Sequence, residues 1–170
     1  GVLGKSDRDG RLYDYFRDRV VFPIENRQGK VIAFGARALA DSKPKYLNSG
    51  DSPTFSKKNV LYGWVQAREA VRRKLPLVVV EGYMDVITVQ RSGIAGAVAP
   101  LGTALTSEQI ALLWKLHDEP ILCFDGDAAG QRAQLRALER ILPLLEPGRS
   151  ARLAMLPAGK DPDDVLNDSG

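Results

Sequence analysis

Four short apolar runs, each followed by a stretch of different pattern, dominate the second half of this chain. Leu77-Val78-Val79-Val80, Ala97-Val98-Ala99, Pro120 to Phe124 and Arg152 to Leu156 read as strands. The first is apolar without interruption, the mark of a strand covered on both faces. Residues 84–91, 106–117, 128–142 and 162–167 read as helices. Thr106 and Gln109 stand at capping-box spacing, and Pro143 closes the third helix. Strand–helix alternation of this kind predicts an α/β fold, a parallel sheet flanked by helices.

The first part of the chain is different. Residues 20–24 and 30–35 read as two strands joined by a hairpin turn at Glu25-Asn26-Arg27-Gln28-Gly29. Residues 41–59 are rich in Ser, Asn, Asp, Pro and Lys and show no periodicity, which predicts a long loop of functional type. Residues 64–74 read as a helix ended by Pro76. Charge follows the same division. Residues 1–74 carry 16 Lys/Arg against 8 Asp/Glu, whereas residues 75–170 carry 8 against 13. The expected organisation is a smaller basic N-terminal α+β lobe over residues 1–75 and an α/β domain over residues 76–170. The first attracts polyanions and the second holds metal.

Three acidic motifs follow strand ends: Glu81-Gly82-Tyr83-Met84-Asp85, Asp125-Gly126-Asp127 and Asp161-Pro162-Asp163-Asp164. In an open α/β sheet, ligands bind beyond the carboxyl ends of the strands. Carboxylates gathered there repel one another unless cations lie between them. Hard oxygen donors of this kind suit Mg²⁺ or Mn²⁺. Gly126 lets the chain turn, or lets a phosphate approach. Each motif also has a purely structural reading. Asp127 caps the helix that starts at Ala128, Asp161 caps the helix that starts at Pro162, and Glu81-Gly82 makes a strand-end turn. Three strand ends, all acidic, favour the metal site over three coincidences.

The remaining features are quieter. Nothing in the chain is apolar for long enough to span a membrane. The single cysteine, Cys123, lies in an apolar run and reads as a buried structural thiol in a cytoplasmic setting. His117, the single histidine, ends a helix and reads as structural, and Trp64 and Trp114 read as core. The chain begins at Gly1 in polar sequence, so it is expected to be a piece of a longer protein.

Several stretches beyond the acidic motifs point to one family. They are Arg17 to Ile24, Phe34-Gly35-Ala36-Arg37, Pro44-Lys45-Tyr46-Leu47-Asn48-Ser49, Leu61-Tyr62-Gly63 and Leu101-Gly102-Thr103. With Val80 to Asp85 and Asp125 to Gly130, this ordered set resembles the catalytic core of bacterial DnaG-type primases. The strand–helix–acid part resembles the Toprim domain, which those primases share with topoisomerases and some nucleases. The likeness runs from about Tyr13 to Gly170. Ala36 stands where a second Gly is common in the family, and Ser49 to Thr54 departs from the usual Ser-Pro-Glu-Thr stretch.

The resemblance implies DNA-templated synthesis of RNA primers by metal-dependent nucleotidyl transfer from NTPs, with two or more Mg²⁺ or Mn²⁺ ions. It implies that Asp125 and Asp127 are the principal metal ligands and that Asp161 and Asp163 are further ligands. Glu81 is then a ligand or a general acid/base. Asp85, Arg37, Lys45, Tyr46 and Lys57 fall at positions associated with nucleotide or template binding. Lys58 stands beside Lys57, and Arg17 and Arg19 are candidates to flank the same groove. The implied partners are single-stranded DNA template, NTPs, the RNA–DNA hybrid product and a replicative helicase reached through a C-terminal region outside this chain. One cysteine and one histidine cannot form the family's zinc site, so no zinc is expected here. The competing readings are a Toprim nuclease or topoisomerase, for which no tyrosine stands in a recognisable motif, and a non-catalytic DNA-binding scaffold.

Overall fold

The computed structural model describes residues 2–41, 43–102 and 104–168. The chain divides into two compact units, Gly1–Ser56 and Lys57–Gly170.

The first unit is built from strands. β1 (Leu3–Lys5) and β2 (Leu12–Asp14) form an antiparallel pair. β3 (Arg19–Glu25), β4 (Val31–Ala38) and β5 (Tyr46–Asn48) form an antiparallel sheet in that order. The expected hairpin joins β3 to β4. Asn26 Oδ1 accepts from the backbone N–H groups of Gln28 and Lys30, both at 3.0 Å, and Gly29 supplies a φ of 81°. An Asx turn of this kind is what Asn offers a hairpin, and only Gly takes the left-handed position without strain. Phe22, Ile24, Ala33, Gly35 and Ala36 are buried in this sheet. The stretch expected as an unbroken loop contains β5 and a bridge between Ser52 and Phe55.

The second unit is the predicted α/β domain. A 3₁₀ turn at Lys57–Asn59 leads into α1 (Trp64–Arg72). Then come β6 (Leu77–Val79), α2 (Tyr83–Ser92), β7 (Gly96–Val98), α3 (Ser107–Leu116), β8 (Ile121–Cys123), α4 (Ala128–Ile141), β9 (Arg152–Ala154) and α5 (Pro162–Asp168). The four strands pair in parallel in the order β7-β6-β8-β9.

Side chains alternate across a strand, so a doubly covered sheet needs two separate cores. That is what forms. Leu77, Val79, Val98 and Leu122 face a core completed by Trp64, Ile110, Leu113, Trp114, Ala137 and Ile141, from α1, α3 and α4. Val78, Ala97, Cys123 and Ala154 face a second core completed by Val86, Val89 and Leu166, from α2 and α5. The continuous apolar run at residues 77–80 follows directly, because both of its faces are buried.

The helix α1 packs against β7 and so belongs with the second unit. The compact units therefore part at residues 56 and 57, ahead of the functional division expected at 75 and 76. His117 closes α3, and its Nδ1 accepts from the N–H of Glu119 at 3.0 Å. It serves as a hydrogen-bond acceptor there. Among the described residues no helix is long and apolar enough to cross a membrane.

Candidate active site

The neighbouring strands β6 and β8 deliver their acidic residues to the same sheet edge. β6 ends at Val79, and Glu81 follows two residues later. β8 ends at Cys123, and Asp125 follows at the same remove. The backbone N–H of Asp125 donates to Glu81 Oε1 at 3.0 Å. Asp125 Oδ1 is buried and has no hydrogen-bond partner. An orphaned carboxylate oxygen in such a place costs free energy unless a cation or proton meets it.

The electrostatics tie all three motifs together. Burial pushes the Asp125 carboxyl up to about 7, and the charges of Glu81, Asp85, Asp161 and Asp127 push the same way. Asp85 is raised to about 6 by burial, against a hydrogen bond from Gly82 that lowers it, with Asp161, Glu81 and Asp163 adding repulsion. That bond runs from the Gly82 N–H to Asp85 Oδ2 at 2.9 Å, across the first turn of α2. The sheet thus brings Glu81, Asp127, Asp161 and Asp163 within electrostatic reach of Asp125 or Asp85.

Most of these acids also serve the backbone. Asp127 caps α4, its Oδ1 accepting from the N–H groups of Ala129 at 2.8 Å and Gly130 at 2.7 Å. Asp161 Oδ1 accepts from the Asp164 N–H at 2.7 Å, while Asp164 Oδ2 accepts from the Asp161 N–H at 3.2 Å. Asp163 Oδ1 accepts from the hydroxyl of Thr88 on α2 at 2.5 Å. The capping and the electrostatic readings of Asp127 and Asp161 therefore hold together. Among the described residues no group of three or more His, Cys, Asp or Glu side chains is arranged so that it could hold a metal ion as it stands.

The glycines of the second motif are fixed by main-chain packing. A Cβ on Gly126 would meet the carbonyl oxygen of Pro157 at 2.0 Å, and one on Gly130 would meet that of Asp125 at 2.1 Å. The Gly126 N–H donates to Lys160 O at 2.8 Å, and the Gly159 N–H to Gly126 O at 3.2 Å. The turn after β8 is thus laced to the turn after β9. Its small residue makes room for protein backbone, where the sequence suggested a free bend or an approaching phosphate.

Three of the expected nucleotide or template residues come together in the first unit. Arg37 on β4 pairs in register with Tyr46 on β5. The guanidinium of Arg37 and the ammonium of Lys45 each lie 6.0 Å from the centre of the Tyr46 ring. Arg37, Lys43 and Lys45 line an open depression that also includes Leu39 and Asp41. Arg19 is used structurally, its Nη1 donating to the carbonyl of Pro44 at 2.8 Å, and Arg17 lies over the Tyr13 ring at 5.7 Å. Lys57 falls in the second unit. Its carbonyl, with that of Val60, accepts from Nε2 of the buried Gln109 at 3.0 and 2.8 Å. Thr106, the N-cap of α3, gives its hydroxyl to Lys58 O at 2.8 Å. The capping-box spacing announced Gln109, but its grip on the 57–60 turn was invisible in sequence. Thr88 likewise carried no signal. Of the Leu101-Gly102-Thr103 stretch, Thr103 lies outside the described residues; Leu101 is buried and Gly102 has a φ of 69°.

Known proteins share this architecture. Residues 1–68 match the model for the N-terminal domain of the DNA primase catalytic core, and residues 76–153 match the Toprim domain. The chain is 50% identical over its full 170 residues to a DNA primase of Pasteurella multocida, covering 29% of that protein. A crystal structure of a DNA primase domain from Pseudomonas aeruginosa is 48% identical with a TM-score of 0.93, over 100% of this chain and 53% of that one. A structure of the DnaG primase catalytic domain bound to ssDNA is 44% identical with a TM-score of 0.88, over 99% and 52% of the two chains. The chain therefore spans between a quarter and a third of the length of its curated relatives. Toprim domains bind divalent metal ions, and the orphaned Asp125 oxygen amid repelling carboxylates fits one.

Proposed function

Because the chain belongs to the DnaG-type DNA primase family, we propose that it forms the metal-binding part of a primase core and its adjoining nucleotide-binding lobe. The reaction is templated nucleotidyl transfer. A ribonucleotide 3′-hydroxyl oxygen bonds to the α-phosphorus of an incoming NTP, the bond to the bridging oxygen breaks, and pyrophosphate leaves. The observation that carries this reading is the Asp125–Glu81 pairing, with Asp125 Oδ1 buried and unpartnered.

Glu81, Asp125, Asp127, Asp161 and Asp163 would hold the ions, which are Mg²⁺ or Mn²⁺, two or more in number. Bound there, such ions supply charge neutralisation at the attacking and leaving oxygens. The protein's own part is positioning. Glu81 Oε1 is engaged by the Asp125 backbone, so Oε2 is the oxygen left to bind an ion or hold a proton. Arg37, Lys45 and Lys57 neutralise phosphates of nucleotide or template, Tyr46 stacks on a base, and Asp85 supports the cluster from the first turn of α2. Partners on this reading are single-stranded DNA, NTPs, the RNA–DNA hybrid and, for the complete protein, a replicative helicase. Its setting is the bacterial cytoplasm. The division of labour falls at residues 75 and 76, where the Toprim match begins.

The test is ribonucleotide incorporation on single-stranded DNA by the full-length enzyme. Asp125→Asn or Glu81→Gln is expected to abolish primer synthesis with the fold intact by circular dichroism. Normal synthesis by either variant would overturn the assignment. Relaxation or cleavage of supercoiled DNA without incorporation would favour a topoisomerase or nuclease.

A further inference from the structure

The acids of the site are not all held alike. Asp127 and Asp161 are fixed by backbone N–H groups of their own helices. Asp163 has a side-chain donor from elsewhere. Thr88 lies 75 residues earlier in the sequence and gives its one hydroxyl proton to Asp163 Oδ1 at 2.5 Å. A hydroxyl donating to a carboxylate is a charge-assisted hydrogen bond, short and roughly twice as strong as a neutral one.

The bond sits where positioning is needed. The helix α5 is seven residues long, too short to be stable alone. It packs against α2, its Pro162 is buried, and its Leu166 packs on the second core. Those contacts seat the helix, and the Thr88 hydroxyl holds the Asp163 carboxylate itself. Thr88 itself stands between Ile87 and Val89 in the interior of α2, where Thr is a mediocre helix former. Its hydroxyl therefore calls for a reason beyond the helix.

We propose that Thr88 is a positioning residue for a divalent-cation site, fixing the Asp163 carboxylate through Oδ1 and leaving Oδ2 to be offered to the ion. The proposal rests on the metal-site reading above. Asp163 is near enough to the cluster for its charge to act on Asp85. Partners that orient a metal ligand from behind commonly change affinity by about 10- to 100-fold.

The experiment is Mn²⁺ affinity of the full chain, measured by electron paramagnetic resonance. Thr88→Val keeps the shape and loses the hydroxyl, and is expected to weaken binding about tenfold. Thr88→Ser keeps the hydroxyl and is expected to restore it. In an Asp163→Asn background, Thr88→Val should add no further loss. Unchanged affinity in Thr88→Val overturns the proposal, even if its melting temperature falls, because the bond would then only tie α5 to α2. An equal loss in both backgrounds also overturns it. Asp125→Asn separates the two readings: if it binds Mn²⁺ as the unaltered chain does, the metal site itself is wrong and the proposal falls with it.

Discussion

Asp125 meets Glu81 through its backbone, not its side chain: the N–H of Asp125 donates to Glu81 Oε1 at 3.0 Å while Asp125 Oδ1 is left buried without a partner. Two acids that would repel are thus held together by a main-chain donor. The sheet assembles the cluster, and the electrostatic cost falls on Asp125 and Asp85.

That cost sets a pH dependence. Asp125 keeps its proton to about pH 7 when folded, whereas an unfolded aspartate loses it near pH 3.9. Its contribution is therefore fully present below about pH 4 and is lost as pH rises through about 7. Without divalent ions, Asp125→Asn is expected to be more stable than the unaltered chain at pH 8 and little different at pH 4. After solvent screening the gap is about 1 kcal/mol. Thermal melts of both chains in chelator across this range check the sign.

The two motif glycines should behave differently. Gly126→Ala puts a methyl 2.0 Å from the Pro157 carbonyl oxygen, whereas the nearest atom to a Cβ on Gly82 is Asp85 Oδ2 at 3.4 Å. Gly126→Ala is expected to destabilise by about 1–3 kcal/mol and Gly82→Ala by well under that. Denaturant midpoints of the two variants give the comparison, and equal midpoints would refute the packing argument.

Gln109 is 0% exposed and uses its amide to hold the carbonyls of Lys57 and Val60 and the N–H of Thr106. Gln109→Leu leaves those three groups without it and is expected to cost about 2–4 kcal/mol. Hydrogen exchange should rise first over residues 57–60. A uniform rise across the second unit would instead indicate global loss of packing.

On the proposed reading, Tyr46 and Lys45 would make two different kinds of DNA contact. In the full-length enzyme, Tyr46→Ala is expected to weaken single-stranded DNA binding by about 1–3 kcal/mol with its salt dependence retained. Lys45→Ala should lower the slope of log affinity against log salt by about 1. Fluorescence anisotropy titrations at several salt concentrations separate the two.

The second unit was largely legible because its chemistry repeats. The runs at 77–80, 97–99 and 120–124 are buried or half-buried on both sheet faces, so their hydrophobicity had no competing explanation, whereas 152–156 belongs to the edge strand β9 and is exposed or half-buried; all four strands formed within a residue or two of the runs. The acids at their ends were visible for the same reason. Strand order was not: that β6, β8 and β9 are contiguous while β7, which ends without an acid, lies on the outside is a tertiary fact. In the first unit β1, β2 and β5 are three residues each, too short for alternation to register. Thr88 and the close fit at Gly126 depend on partners 75 and about 30 residues away, which no local pattern encodes.

The stitching between Gly126 and the 157–160 turn bears on how the acids should be probed. Main chain sewn to main chain keeps the turns after β8 and β9 in step whatever side chains they carry. Exchanging a carboxylate for its amide at Asp125 or Asp163 therefore alters charge while the scaffold stays put. At Asp127 and Asp161 asparagine still accepts the helix N–H groups that alanine would abandon. Amide replacements isolate the chemistry of this edge, whereas truncation would confound it with unravelling of α4 and α5.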